Sequence, residues 1–288
     1  MCLEILPDGI AWFCGNHSAA DQSGFLACPP AKRAPLLADL VAQQGWTGAP
    51  TTVVLPLDQY SVFQLERPDG LSDHDLADAL RWKLKDLLDY SPSNAVCDVF
   101  DFPHDASRGR GHLVNVVSAR KTLAKELVAL VSDAGLELKR VDVAELALRN
   151  FAAQMDTSGR GMALVHLRDG YGQMVICKGP VLYLSRRLDV SAEDLRDAGR
   201  QESAVQSLAL EMQRSLDYFE SQLGQVPPRS VRLVARDTKL PLASMISNYV
   251  AAGIETVDWG AQGLTEPLDS RCLVAWSAAL PVAEAPSR

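Results

Sequence analysis

The chain has 288 residues, of which 47% are apolar; 28 Lys and Arg stand against 36 Asp and Glu, a formal charge of −8. Wholesale disorder, collagen and coiled coil are excluded, and the length suits one large domain or two lobes. The acidic balance argues against a general nucleic-acid binder and gives no global attraction to anionic lipid.

The first residues, Met1 to Asp8, carry no basic region, and Glu4 and Pro7 break the apolar run, so no export signal is expected. No run of 18 apolar residues occurs, so no membrane-spanning helix is expected. Cys2, Cys14, Cys28, Cys97, Cys177 and Cys272 show no metal-ligand or redox spacing. They read as small apolar residues of a cytoplasmic protein.

In chain order, Cys2–Leu6 and Ile10–Cys14 flank Pro7-Asp8-Gly9, a hairpin signal. A helix is expected around Pro35–Gln44, ended by Gly45. Thr51–Leu55 and Tyr60–Leu65 read as a second hairpin. Ser72 opens a helix with Asp75 in a cap-box position, and Leu76, Leu80, Leu84, Leu87 and Leu88 form its apolar stripe. Strands are expected at Ala95–Phe102 and Leu113–Val117, joined by the Ser107–Gly111 loop. A helix through Leu123, Leu127 and Leu130 closes at Gly135. A short strand at Glu137–Val141 and a helix at Val143–Gln154 follow.

After Thr157–Gly161, read as a hinge, Met162–Leu167, Gln173–Lys178 and Val181–Ser185 form a meander turning at Asp169-Gly170 and Lys178-Gly179. Ser191–Glu202 shows no strand pattern. A long helix then carries Val205, Leu208, Met212, Leu216, Phe219 and Leu223 on one face. A strand at Val231–Ala235, a helix at Pro241–Ala252, a strand at Glu255–Trp259 and a helix at Arg271–Leu280 complete the chain. Hairpins and meanders followed by helices, twice over, indicate α/β architecture with mixed sheets.

Known catalytic motifs are absent: there is no P-loop, G-x-G-x-x-G, H-E-x-x-H or G-x-S-x-G. His17, His74, His104, His112 and His166 form no i,i+3 or i,i+4 pair, so a metal site is not expected. Asp73-His74-Asp75 at a helix start suits the helix dipole better than catalysis. The turns Asp8-Gly9 and Asp169-Gly170-Tyr171-Gly172 have two readings. Exposed amides and an Asp can hold phosphate and magnesium, or Asp-Gly can simply supply turn geometry.

The stretch Leu71–Leu88, with Cys97–Phe100, Val114–Arg120, Ala134–Asp142 and Leu216–Gln222, resembles the PilM family, actin-like proteins of type IV pilus assembly. Trp82-Lys83-Leu84-Lys85-Asp86 most resembles its MshI-like branch, which serves the mannose-sensitive haemagglutinin (MSHA) pilus. The cytoplasmic actin-like domain of type II secretion platforms is a related resemblance. The family implies an actin-like, ribonuclease H-like two-lobed α/β fold with an insertion in the first lobe and, here, a shortened second lobe. The expected bounds are 1–50 and 141–158 for the first-lobe core, 51–140 for the insertion, 159–280 for the second lobe and 281–288 for a disordered tail.

Family members that bind nucleotide hold ATP between the lobes, on two Gly-rich hairpins and a Gly-Gly adenosine turn. This chain departs at each place. Asp8-Gly9 has no Ser, Thr or Lys near enough to grip phosphate. His166 and Arg168 stand where an acid is expected, with Asp169 displaced into the turn. Ala235-Arg236-Asp237 replaces the Gly-Gly turn. The vestigial turns Asp8, Gly9, Asp169, Gly170, Gly172, Ala235 and Arg236 are therefore expected to hold no cofactor. The resemblance instead implies a non-catalytic cytoplasmic scaffold, peripheral at the inner membrane. It would dock the cytoplasmic tail of an inner-membrane, PilN-like pilus protein, with neither nucleic-acid binding nor direct membrane insertion, and with self-association left open. Trp82, with Arg81, Lys83 and Lys85 around it, is the candidate partner-binding patch; the plainer readings are packing for Trp82 and a solvated face for the charges. The alternative is an active ATPase or sugar-kinase-like enzyme with magnesium on Asp8 and Asp169 and phosphate on Gly9, Gly170 and Gly172.

Overall fold

The computed structural model describes residues 1–15, 22–156, 159–236, 240–264 and 266–281. Thr157, Ser158 and Asp237, and residues 282–288 of the expected tail, lie outside them. Contacts group the chain into two units, Met1–Ile10 with Leu26–Val143 and Ala11–Phe25 with Ala144–Arg288.

The first sheet has strand order β3-β2-β1-β4-β8. It contains β1 (Cys2–Leu6), β2 (Gly9–Cys14), β3 (Gln22–Ala27), β4 (Pro50–Leu55) and β8 (Glu137–Val143), with β2 and β3 straddling the unit boundary. β3 is missing from the sequence reading because Gln22-Ser23-Gly24 carries no apolar alternation. Gly24 is required there: an added Cβ would lie 2.7 Å from the Trp12 ring.

The hairpin expected at 51–65 does not form. β4 pairs in parallel with both β1 and β8, and Val53 and Val54 are fully buried, as a central parallel strand demands. β8, at the sheet edge, carries the ion pairs Lys139–Glu137 and Arg140–Asp142, charges that discourage stray pairing. α1 (Arg33–Gln44) ends at Gly45, which takes a left-handed φ of 71°. α3 (Lys121–Asp133) ends just before Gly135, where the Leu136 amide returns to the Val131 carbonyl at 3.0 Å. α3 packs on α1 and β8.

Between β4 and β8 lies a separate antiparallel sheet of order β5-β7-β6, made of β5 (Tyr60–Glu66), β6 (Ala95–Asp101) and β7 (Leu113–Arg120). α2 (Asp73–Lys83) lies on β6 and β7, capped by Ser72, whose hydroxyl accepts from the Asp75 amide at 3.3 Å. Leu76, Leu80 and Leu84 form a core with Val114 and Val116, and Phe63, Cys97 and Val99 pack against it. The helix stops five residues short of Leu88, because Leu84 leaves helical geometry and the chain continues in turns. Leu88 thereby joins the core, whereas Leu87 is 53% exposed.

The second sheet has order β11-β10-β9-β12-β13. It comprises β9 (Met162–Leu167), β10 (Gly172–Lys178), β11 (Val181–Leu188), β12 (Ser230–Ala235) and β13 (Gly253–Thr256). β9 to β11 are an antiparallel meander, and β12 is parallel to β9 and β13. Both large sheets thus share one pattern, third-second-first-fourth-fifth in their own chain order. α4 (Ala144–Met155) and α8 (Leu273–Ala279) pack together, and α4 lies on β9, β10 and β11. Phe151, Trp259 and Trp276 form an aromatic cluster with centroids 5.0–6.2 Å apart.

α5 (Ala192–Arg196) is a short helix closed by a capping box. α6 (Gln201–Ser221) and the residues just after it bury the whole stripe from Val205 to Leu223, as its spacing requires. α7 (Leu242–Ile246) is shorter than expected. The Ser244 and Ser247 hydroxyls bond to the Pro241 and Ser244 carbonyls, and Tyr249 closes a turn on Ile246. β13 begins two residues before its expected start.

Candidate functional site

The turn between β9 and β10 is closed by the Arg168 amide donating to the Tyr171 carbonyl at 3.0 Å. Arg168 is buried, bonds the Tyr171 hydroxyl at 3.2 Å and lies over its ring, and Arg187 covers the same ring at 4.3 Å. Asp169 is held on both oxygens. Arg196, from α5, donates to Oδ1 at 2.7 Å, and Arg236, just past β12, donates to Oδ2. Arg196 also reaches the Arg236 carbonyl at 3.0 Å, and the Arg236 amide donates to the Leu167 carbonyl. One carboxylate therefore ties the turn, α5 and the segment after β12 together. A cation on Asp169 would have to displace two guanidinium groups.

The glycines divide between turn geometry and packing. Gly170 has φ +83° with open space around it, so it serves the turn. At Gly172 an added Cβ would meet the Leu167 side chain at 2.7 Å and the Val190 carbonyl oxygen at 2.9 Å. Its missing side chain is taken up by internal packing. His166 is buried on β9, with Nε2 3.0 Å from the Ser270 carbonyl oxygen. Desolvation, helped by the Arg168 charge, pushes its pKa down to about 3, so it stays neutral. Ala235 ends β12.

In the first unit, the Asp8 carbonyl accepts from the Cys28 amide at 3.0 Å, and Arg33 donates to the Leu6 carbonyl at 2.5 Å. The Asp8-Gly9 turn is thus braced from the α1 side. The cysteines are free, and burial pushes the thiols of Cys2, Cys97 and Cys177 up, away from reactivity. Among the described residues no group of three His, Cys, Asp or Glu could hold a metal ion, and no helix is long and apolar enough to cross a membrane.

Trp82 faces solvent at 58% exposure near the end of α2. Its position two residues past Leu80 turns it away from the core stripe. The Arg81 guanidinium lies 5.5 Å from its ring centre and pairs with Asp78 at 3.4 Å, while Lys83 and Lys85 are exposed beside it. The four residues named from sequence therefore lie together at one end of α2. The charge is less one-sided than the sequence suggested, because Asp78 engages Arg81 and Asp86 is exposed next to Lys85. Sequence reasoning missed Arg196. Nothing local marks a residue 27 positions from Asp169 as its partner.

No family model and no curated protein matches the chain. Solved structures do. A PilM–PilN type IV pilus biogenesis complex is 21% identical with a TM-score of 0.71, covering 97% of this chain and 96% of that one. The cytoplasmic domain of EpsL, an inner-membrane component of the Vibrio cholerae type II secretion system, is 13% identical with a TM-score of 0.59, covering 96% and 93%. A Bacteroides thetaiotaomicron protein of actin-like ATPase fold and unknown function is 10% identical with a TM-score of 0.52, covering 95% and 94%. The fold is therefore actin-like, with the three-stranded sheet inserted between the fourth and fifth strands of the first large sheet.

Proposed function

We propose that this chain is a non-catalytic scaffold of a type IV pilus assembly platform, working at the cytoplasmic face of the inner membrane. It docks the cytoplasmic tail of a PilN-like inner-membrane pilus protein and uses no cofactor. The observation that carries the non-catalytic part is Asp169, the acid displaced into the turn beside the expected position, with both its oxygens occupied by Arg196 and Arg236. Arg236 adds bulk where an adenosine turn needs glycine. The docking part is supported by likeness, over nearly the whole chain, to a structure of PilM with PilN. The MSHA branch rests on the Trp82–Asp86 stretch alone. Arg81, Trp82, Lys83 and Lys85 form the proposed anchor patch, since exposed Trp beside cations is a common hot-spot composition.

Two measurements test this reading. Millimolar Mg-ATP leaves the melting temperature unchanged; a ligand at 100 times its Kd would stabilise by about 2.7 kcal/mol. A rise of several degrees favours the ATPase alternative. A labelled peptide of the membrane protein's cytoplasmic tail binds the chain, and Trp82→Ala weakens it at least about tenfold, the worth of 1.4 kcal/mol. Unchanged binding by Trp82→Ala removes the patch from the site.

A further inference from the structure

β6 is an end strand of its sheet, and Val96, Asp98 and Asp101 on it are exposed. Its amides alternate between β7 and the open edge. The Phe102 amide donates to the Leu113 carbonyl, so the even-numbered positions turn toward β7. The Val99 amide accordingly points outward, and it donates to the side chain of Asp98 at 2.8 Å. Asp98 thus caps its own strand edge.

The edge is also acidic. Asp98 and Asp101 lie on it, Asp101 with His112 3.6 Å away, so Asp98 is its unpaired acid among the described residues; β5, the sheet's other end strand, carries only Glu66. On the face away from α2, Val96, Asp98 and Phe100 alternate apolar, acidic, apolar, with Val96 44% exposed. On the other face, α2 packs on β6, and Cys97 and Val99 lie against its Leu76, Leu80 and Leu84.

We infer that the open edge of β6 receives an extended, basic segment of a partner chain by strand addition. The partner's carbonyl replaces Asp98 on the Val99 amide, and the freed Asp98 carboxylate meets a partner Lys or Arg. Side chains flanking that cation are apolar, to lie beside Val96 and Phe100. The source is the cytoplasmic segment of a membrane protein, because segments next to a spanning helix on that side are enriched in Lys and Arg. This choice of source rests on the assembly reading above; the edge chemistry does not.

Two labelled octapeptides, (Lys-Val)4 and (Glu-Val)4, are titrated against the full chain by fluorescence anisotropy. The basic peptide binds and the acidic one does not. Asp98→Lys and Val99→Pro each weaken binding tenfold or more; the proline deletes an outward amide that β7 does not use. Thermal melts check that both variants fold, and Asp98→Lys decides alone if Val99→Pro does not. Equal binding of the two peptides, no binding of either, or undiminished binding by folded variants overturns the inference. So does a concentration-dependent dimer that Val99→Pro abolishes, which would give the edge to a second copy of this chain. If the pilus protein's own tail binds Val99→Pro normally but fails on Trp82→Ala, strand addition falls and the assembly reading stands. If (Lys-Val)4 behaves as expected but that tail does not bind at all, the assembly reading falls instead.

Discussion

Glu145 sits in the first turn of α4 at 1% exposure, and its Oε2 has no hydrogen-bond partner. Burial pushes its pKa up to about 7, with no charged side chain contributing. The folded state therefore holds a proton that the unfolded chain releases near pH 4.5. Stability is fully present below that value, declines as pH rises toward 7, and levels off above it. His166 acts in the opposite sense. Its folded pKa of about 3 makes stability fall as pH drops below 6.5. Glu145→Gln should flatten the decline between pH 4.5 and 7 and gain on the order of 3 kcal/mol above neutrality, read from urea midpoints across pH. An unchanged pH profile would show that Glu145 finds a partner in solution. Gly172→Ala should cost about 1–3 kcal/mol, because the Val190 carbonyl is backbone and cannot move aside as a side chain would. Asp169→Ala should cost only about 1 kcal/mol, less in high salt, since its side chain is 29% exposed.

At the scale of elements, α2 and the three-stranded sheet stand on a small core of their own. Leu80→Ala deletes a fully buried side chain there and should cost about 2–5 kcal/mol. Circular dichroism melts would show the loss, and a change under 1 kcal/mol would mean the core collapses around the gap. The same region shows what the sequence discloses. The α2 stripe and the α6 stripe were legible because 3.6-residue spacing is local. The pairing of β4 was not. Thr51–Leu55 and Tyr60–Leu65 are close in sequence and look like a hairpin, yet burial on both faces sends β4 between β1 and β8. The ends of α2 and α7 were also hidden, since a turn at Leu84 and two serine hydroxyls decide them. At the candidate sites, Trp82's exposure could be read from its place off the stripe. The Arg196–Asp169–Arg236 clamp could not, because it joins three distant segments.

Over the whole molecule, the two large sheets repeat one strand order, and what differs is the content between their fourth and fifth strands. In the first sheet that interval, from β4 to β8, holds three strands and two helices. In the second, from β12 to β13, the only described helix is α7. The position has already accommodated an entire subdomain in one half, so the scaffold tolerates bulk there. The exposed Asn248 in the second half is therefore a natural graft point. A fluorescent reporter spliced after Asn248 should leave the melting temperature within a few degrees, giving a label carried from within the fold.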